Sequence, residues 1–208
     1  VAYSADWQNN RQKAEVEVVK KEKDSDRVLE GAVFALCAKE DITGTDGKVI
    51  LKADTVIEEL ATDKEGKLTF KADLPIGFAY YIKETSPAPG FATTDETQEF
   101  TFAYEGAEKE KVSYAFTFED EPTVIEITKT SLTDGKELEG AKLQVTDESG
   151  KVVDSWTSGK EAHIIKELVV GQKYTLTETK PADGYVTAES ITFTVEDTAK
   201  SQKIEMMM

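Results

Sequence analysis

The chain has 208 residues, 39% of them hydrophobic and 32% charged, which suits a globular protein with a core and room for one large domain or two of about 100 residues. Its net charge of −16 excludes the basic footprint that nucleic acid requires and works against anionic membrane surfaces. No apolar run approaches the length of a bilayer span, so no membrane insertion is expected. Cys37 is the single cysteine and His163 the single histidine. An internal disulfide is therefore excluded, and a histidine-based metal or nucleophile site is disfavoured. No metal and no cofactor are expected.

Period-two alternation recurs along the chain and long 3.6-period stripes are absent, so short strands are predicted almost throughout. In residues 1–12, Tyr3, Ala5, Trp7 and Asn9 alternate. This stretch is expected to be the last strand of a preceding domain, in a fragment cut from a longer protein. From Lys13 onward, Val16-Val18-Lys20, Tyr80-Ile82-Glu84, Phe100-Phe102-Tyr104 and Phe116-Phe118-Asp120 each place same-parity residues on one strand face. Turn residues punctuate these runs: TGTDG at 43–47, DKEG at 63–66, TDG at 133–135 and DESG at 147–150.

The chain also repeats itself. VVKKEKDSDRVLEGAVFAL (18–36) parallels ITKTSLTDGKELEGAKLQV (127–145), with Leu-Glu-Gly-Ala in both. VIEELATDKEG (56–66) parallels VVDSWTSGKEA (152–162), and YYIKETSPAPGF (80–91) parallels YTLTETKPADGY (174–185). Two tandem homologous β-domains follow, at 13–121 and 122–208. The first carries a hairpin insertion at 42–55, where Val49, Leu51 and Ala53 alternate. The linker is almost absent, and Pro122 stiffens it by fixing φ and donating nothing to a ladder. At the far end Ile204, Met206 and Met208 alternate, and the next inward residue by parity would be 210. The last strand of the second domain is thus expected to be truncated.

Ionisable residues share the inward parity of these strands: Lys20, Glu84 and Asp120 in the first domain, Lys129 and Glu178 in the second. An inward charge on an apolar strand is costly unless paired or neutralised. Its recurrence at matching places in both copies calls for a reason. One answer is a buried, hydrogen-bonded ion network. The other is amide formation. Burial favours the neutral forms of amine and carboxyl, so a neutral Lys20 amine could attack the carboxyl carbon of Asp120 while Glu84 stabilises the oxyanion and moves the proton to leaving water. Such a step occurs once and does not turn over, so the chain is not expected to be an enzyme.

Other residues read more plainly. Lys21, Glu119 and Glu121 have outward parity. DITGTDG (41–47) lacks the ligand spacing of a calcium loop, and a plain turn is favoured. Cys37 is expected to be a semi-buried thiol, His163 a solvated strand residue, and Trp7 and Trp156 packing residues.

VxVxK near a domain start, LEGA after it, [YF]xxxETxPAxG[FY], and a last strand ending Asp-x-Pro together resemble the Cna B-type domains of Gram-positive surface adhesins and pilins, also called SpaA-like or prealbumin-like. The resemblance covers both domains. It implies an all-β fold of two tandem transthyretin-like Greek-key β-sandwiches, each with a Lys–Asp or Lys–Asn isopeptide bond assisted by the glutamate of the box. Carried over, the resemblance pairs Lys20 with Asp120, with Glu84 assisting. It gives Glu178 the same role beside Lys129, whose acceptor would lie beyond Met208, and it makes Asn9 the acceptor of the preceding domain. The implied function is a stalk or spacer of a cell-wall-anchored, extracellular surface protein. Its partners would be neighbouring domains of the same protein, and the chain would be a monomer. The alternative is an adhesin domain that contacts host extracellular matrix or glycan, with the 42–55 hairpin as one route.

Overall fold

The computed structural model describes residues 11–208. The notional strand at 1–9 and Asn9 lie outside the described residues. Among those described the secondary structure is all strand, sixteen in number, as the period-two patterning requires.

The chain divides into two compact units. Among the described residues, the first comprises 11–86 together with Thr94–Glu119, and the second comprises Pro87–Thr93 with Asp120–Met208. In the first unit, β1 (Lys13–Glu22) is the middle strand of a three-stranded sheet, between β6 (Lys67–Phe70) and β9 (Lys111–Asp120). A four-stranded sheet runs in the order β5 (Val56–Ala61), β2 (Val33–Ala38), β7 (Ala79–Ser86), β8 (Thr97–Thr101). The second unit repeats this plan. β10 (Val124–Thr130) lies between β13 (His163–Lys166) and β16 (Gln202–Met207). The second sheet follows the order β12 (Val152–Thr157), β11 (Lys142–Asp147), β14 (Lys173–Lys180), β15 (Ile191–Thr194). Strand for strand the two orders match. The first unit adds only the small hairpin of β3 (Ile42–Thr43) and β4 (Val49–Leu51), within the 42–55 insertion.

The inward residues fill each core. In the first unit Val16, Val18, Phe34, Leu36, Tyr80, Ile82, Phe102 and Phe118 are buried, and the rings of Phe34 and Phe118 meet at 4.9 Å between centroids. In the second, Ile125, Ile127, Leu143, Val145, Tyr174, Leu176, Phe193 and Met206 form one cluster. Each such side chain contributes roughly 1.5–3 kcal/mol by leaving water.

The LEGA elements have a shared structural reason. Thr62 Oγ1 accepts the Ala32 N–H at 3.1 Å and donates to the Leu29 carbonyl at 2.8 Å. In the second unit Ser158 Oγ accepts the Ala141 N–H at 2.9 Å and donates to the Leu138 carbonyl at 2.6 Å. One hydroxyl thus satisfies a buried donor and acceptor where the chain enters β2 or β11.

Three expectations need correction. Cys37 is fully buried rather than semi-buried, because Phe34 to Ala38 are buried on both faces of β2; burial pushes its thiol pKa up. The Phe100–Tyr104 alternation does not continue as one strand. β8 ends at Thr101, Phe102 is buried, and Tyr104 is 60% exposed. His163 is not simply solvated. Its Nε2 lies 2.8 Å from Asp154 Oδ2 and its ring stacks on Trp156 at 4.0 Å. The turn itself spans 44–47, between β3 and β4, where the Gly47 N–H donates to the Gly44 carbonyl at 2.9 Å; just before β3, Asp41 accepts the Ala53 N–H at 2.9 Å and pairs with Lys52. Those contacts hold the Asp41 carboxyl below its ordinary range. Among the described residues no cluster of metal-ligating side chains occurs.

Candidate crosslink sites

Each unit carries a lysine on the middle strand of its three-stranded sheet and a glutamate on an inner strand of the four-stranded sheet. Strand parity turns both inward. Lys20 Nζ lies 3.0 Å from Glu84 Oε1, with both side chains fully buried. Lys129 Nζ lies 3.2 Å from Glu178 Oε1, with burial as complete. The pair in each unit therefore bridges the two sheets through the core.

A local irregularity aims each glutamate. The β2–β7 ladder shifts register between Val33 and Phe34, and Phe34 then faces Glu84. The β11–β14 ladder shifts between Lys142 and Leu143, and Leu143 then faces Glu178. A bulge of this kind twists a strand locally and redirects the side chain beside it. The second carboxylate oxygen is held from behind. Glu84 Oε2 accepts the Thr94 N–H at 2.8 Å, and Glu178 Oε2 accepts the Ala188 N–H at 2.6 Å. Each donor lies ten residues after its glutamate. One oxygen is thereby fixed on the loop and the other presented to the lysine. In the first unit the Phe34 ring also lies 5.4 Å from Lys20 Nζ, within range of a cation–π attraction.

Asp120 is the last residue of β9, the strand beside β1 in the sheet, and is 2% exposed. Its neighbours Glu119 and Glu121 are exposed. Lys21 is half-buried and pairs with Asp26 at 4.0 Å.

The second unit differs at this point. β16 runs parallel to β10, with Lys129 opposite Met206. Met208 follows two residues on, and its Sδ lies 3.7 Å from Lys129 Nζ. A thioether offers no acyl carbon for an amine. Among the described residues, then, Lys129 has its glutamate and a sulfur neighbour.

The Thr94 and Ala188 clamps and the Thr62 and Ser158 hydroxyls are absent from a reading based on inward charges. Their signal is nonetheless in the repeat. The hydroxyls fall at the same column of the 56–66 and 152–162 alignment, and both clamps fall ten residues past the aligned glutamates.

A duplicated β-sandwich with a buried lysine–glutamate pair joining the sheets of each copy defines a tandem prealbumin-like module. The chain belongs to the SpaA family of prealbumin-like fold domains, whose model matches residues 14–115 and 123–208. No curated protein matches the sequence. Among solved structures, the Bacillus anthracis TIE protein is similar at 27% identity and a TM-score of 0.53, over 93% of this chain and 33% of that one. The chain thus spans about a third of that relative's length. Weaker likenesses extend to the shaft pilin SpaA from Lactobacillus rhamnosus GG, at 18% identity, a TM-score of 0.40 and coverage of 94% and 98%. A streptococcal ancillary pilin is similar at 23% identity, a TM-score of 0.40 and coverage of 96% and 63%.

Proposed function

We propose that the chain is a spacer segment of a bacterial surface protein or pilus, and that its first unit is closed by a self-formed isopeptide bond between Lys20 and Asp120. The single observation that carries this reading is the fully buried Lys20–Glu84 pair at 3.0 Å, with Asp120 buried at the end of the adjoining strand. Duplication of the fold with a three-residue junction between β9 and β10, and membership of the SpaA family, favour a spacer. Attachment at the cell surface, and neighbouring domains of the same protein as partners, belong to the same proposal.

The step balances as a condensation. The Lys20 ammonium gives one proton to Glu84, and the freed amine adds to Asp120 Cγ. The C–N bond forms and a tetrahedral oxyanion results. Glu84 returns its proton to the departing oxygen, a second proton passes from the nitrogen to that same oxygen, and the C–O bond breaks with loss of water. One hydrogen stays on the amide nitrogen and Glu84 ends as it began. The product removes two buried charges, which water no longer solvates. It also closes a loop of about 100 residues, worth roughly 4–5 kcal/mol by analogy with a disulfide.

Intact-mass spectrometry tests this. The protein is expected to weigh one water less than its sequence and to yield a Lys20–Asp120 crosslinked peptide on digestion. Glu84→Gln, which keeps the shape but cannot carry the proton, is expected to leave the full sequence mass. A wild-type protein at full mass would sink the bond.

A second reading is that the first unit contacts a host matrix protein or glycan. It is favoured by one observation, the exposed apolar strand β4 of the hairpin, where Val49 is 42% and Ile50 71% exposed, in an element with no counterpart in the second unit. Ile50→Asp abolishing adhesion to immobilised matrix would support it.

A further inference from the structure

The two copies of the proline–glycine turn that follows the box glutamate have the same local form and opposite surroundings. In the first copy, Pro87–Thr93 belongs to the second compact unit. Gly90 has φ +91°, and the Phe91 N–H donates to the Ala88 carbonyl at 3.0 Å. In the second copy, Gly184 has φ +88°, and the Tyr185 N–H donates to the Ala182 carbonyl at 3.1 Å. The turns are built alike.

Their burial is not alike. Phe91 is 1% exposed and Ala92 6%, whereas Tyr185 is 40% exposed and Val186 77%. The difference has identifiable causes within the second unit. The Thr123 N–H donates to the Gly90 carbonyl at 3.0 Å, and the Ala92 N–H donates to the Glu121 carbonyl at 3.0 Å. Asp197 accepts from both the Thr93 N–H and its hydroxyl, at 2.8 and 2.7 Å. A Cβ on Gly90 would lie 2.8 Å from the Glu167 carbonyl oxygen, whereas one on Gly184 would meet nothing within 4 Å. Thr187 stands in the place of Thr93 and is exposed.

We propose that the 181–187 turn is the seat for a further domain of this same kind. That domain would offer a Glu-Pro-Thr entry segment to the Gly184 carbonyl and Val186 N–H, a close-packed carbonyl over Gly184, and a carboxylate to Thr187. The occupant is argued from the copy that is already covered: each group missing around Tyr185 is present around Phe91, and each comes from residues 121–123, 167 or 197. The proposal rests on the spacer reading, in which units of one kind follow one another. It does not depend on the Lys20–Asp120 bond, whose presence the protein mass reports separately.

Hydrogen exchange tests it. A chain in which residues 121–208 are repeated after Met208 is compared with the 208-residue chain. The Val186 amide is expected to exchange at least tenfold more slowly in the longer chain, since it acquires the bond that Ala92 makes to Glu121. Gly184→Ala is expected to abolish that slowing, because the close approach seen at Gly90 admits no Cβ. Equal exchange at Val186 in the two chains would overturn the proposal. So would protection in the 208-residue chain that grows with protein concentration, which would make the occupant a second molecule.

Discussion

At the scale of single residues, Glu178 is a carboxylate buried in the core of the second unit. Its two oxygens are both engaged, by Lys129 at 3.2 Å and by the Ala188 N–H at 2.6 Å. Removing it leaves a lysine buried without its counter-charge. Glu178→Ala is therefore expected to destabilise the second unit by about 3–5 kcal/mol, read as a lower midpoint in urea at unchanged slope. Tyr80 gives a pH dependence. Burial pushes its hydroxyl up to about 12 from an ordinary value of 10, and that hydroxyl donates to the Pro75 carbonyl at 2.7 Å. A raised value means that the folded state holds the proton which the unfolded state releases. The contribution is whole below pH 10 and is lost as pH rises through about 12. Absorbance titration at the phenolate band is expected to show a late ionisation near that pH, missing in Tyr80→Phe. Of these residues, the four charged ones were legible in the sequence, because inward parity and recurrence coincide at Lys20, Glu84, Lys129 and Glu178. Cys37 and His163 were not. Parity says which face a side chain takes. It does not say that both faces of β2 are covered, or that a tryptophan lies beside the imidazole.

At the scale of elements, the LEGA segment and its hydroxyl partner form a unit that the repeat alone hinted at. Ser158→Ala leaves the Ala141 N–H and the Leu138 carbonyl without that oxygen, at a cost of about 1–3 kcal/mol. Ser158→Thr restores the atom, as Thr62 supplies it in the first unit, and is expected to recover most of the loss in the same unfolding measurement. The glutamate bulges belong here too. They occur at one place in both four-stranded sheets, and no residue type announces them, since each arises where a strand must turn an acid inward. The 42–55 insertion was legible because Val49 and Leu51 alternate. The end of β8 was not, because Phe102 stays buried after the strand has stopped and so extends the pattern without extending the ladder.

At the scale of the whole molecule, the strand orders of the two units coincide after the hairpin is set aside. Repetition in the sequence made that legible; alternation gives a strand its faces and not its neighbours, so the pairing of first with last strand is seen only in the structure. That pairing has a mechanical consequence. In the second unit β10 and β16 run parallel over six residue pairs, from Ile125 opposite Gln202 to Thr130 opposite Met207. Tension applied at the start of β10 and the end of β16 slides the two strands past one another, so the hydrogen bonds between them share the load and must yield together. Tension applied at residues 124 and 202, which lie at one end of the pair, peels them apart singly. Single-molecule stretching is expected to give a clearly higher rupture force in the first geometry than in the second, at equal pulling speed. The fold thus places its greatest tensile resistance along the direction of its own backbone.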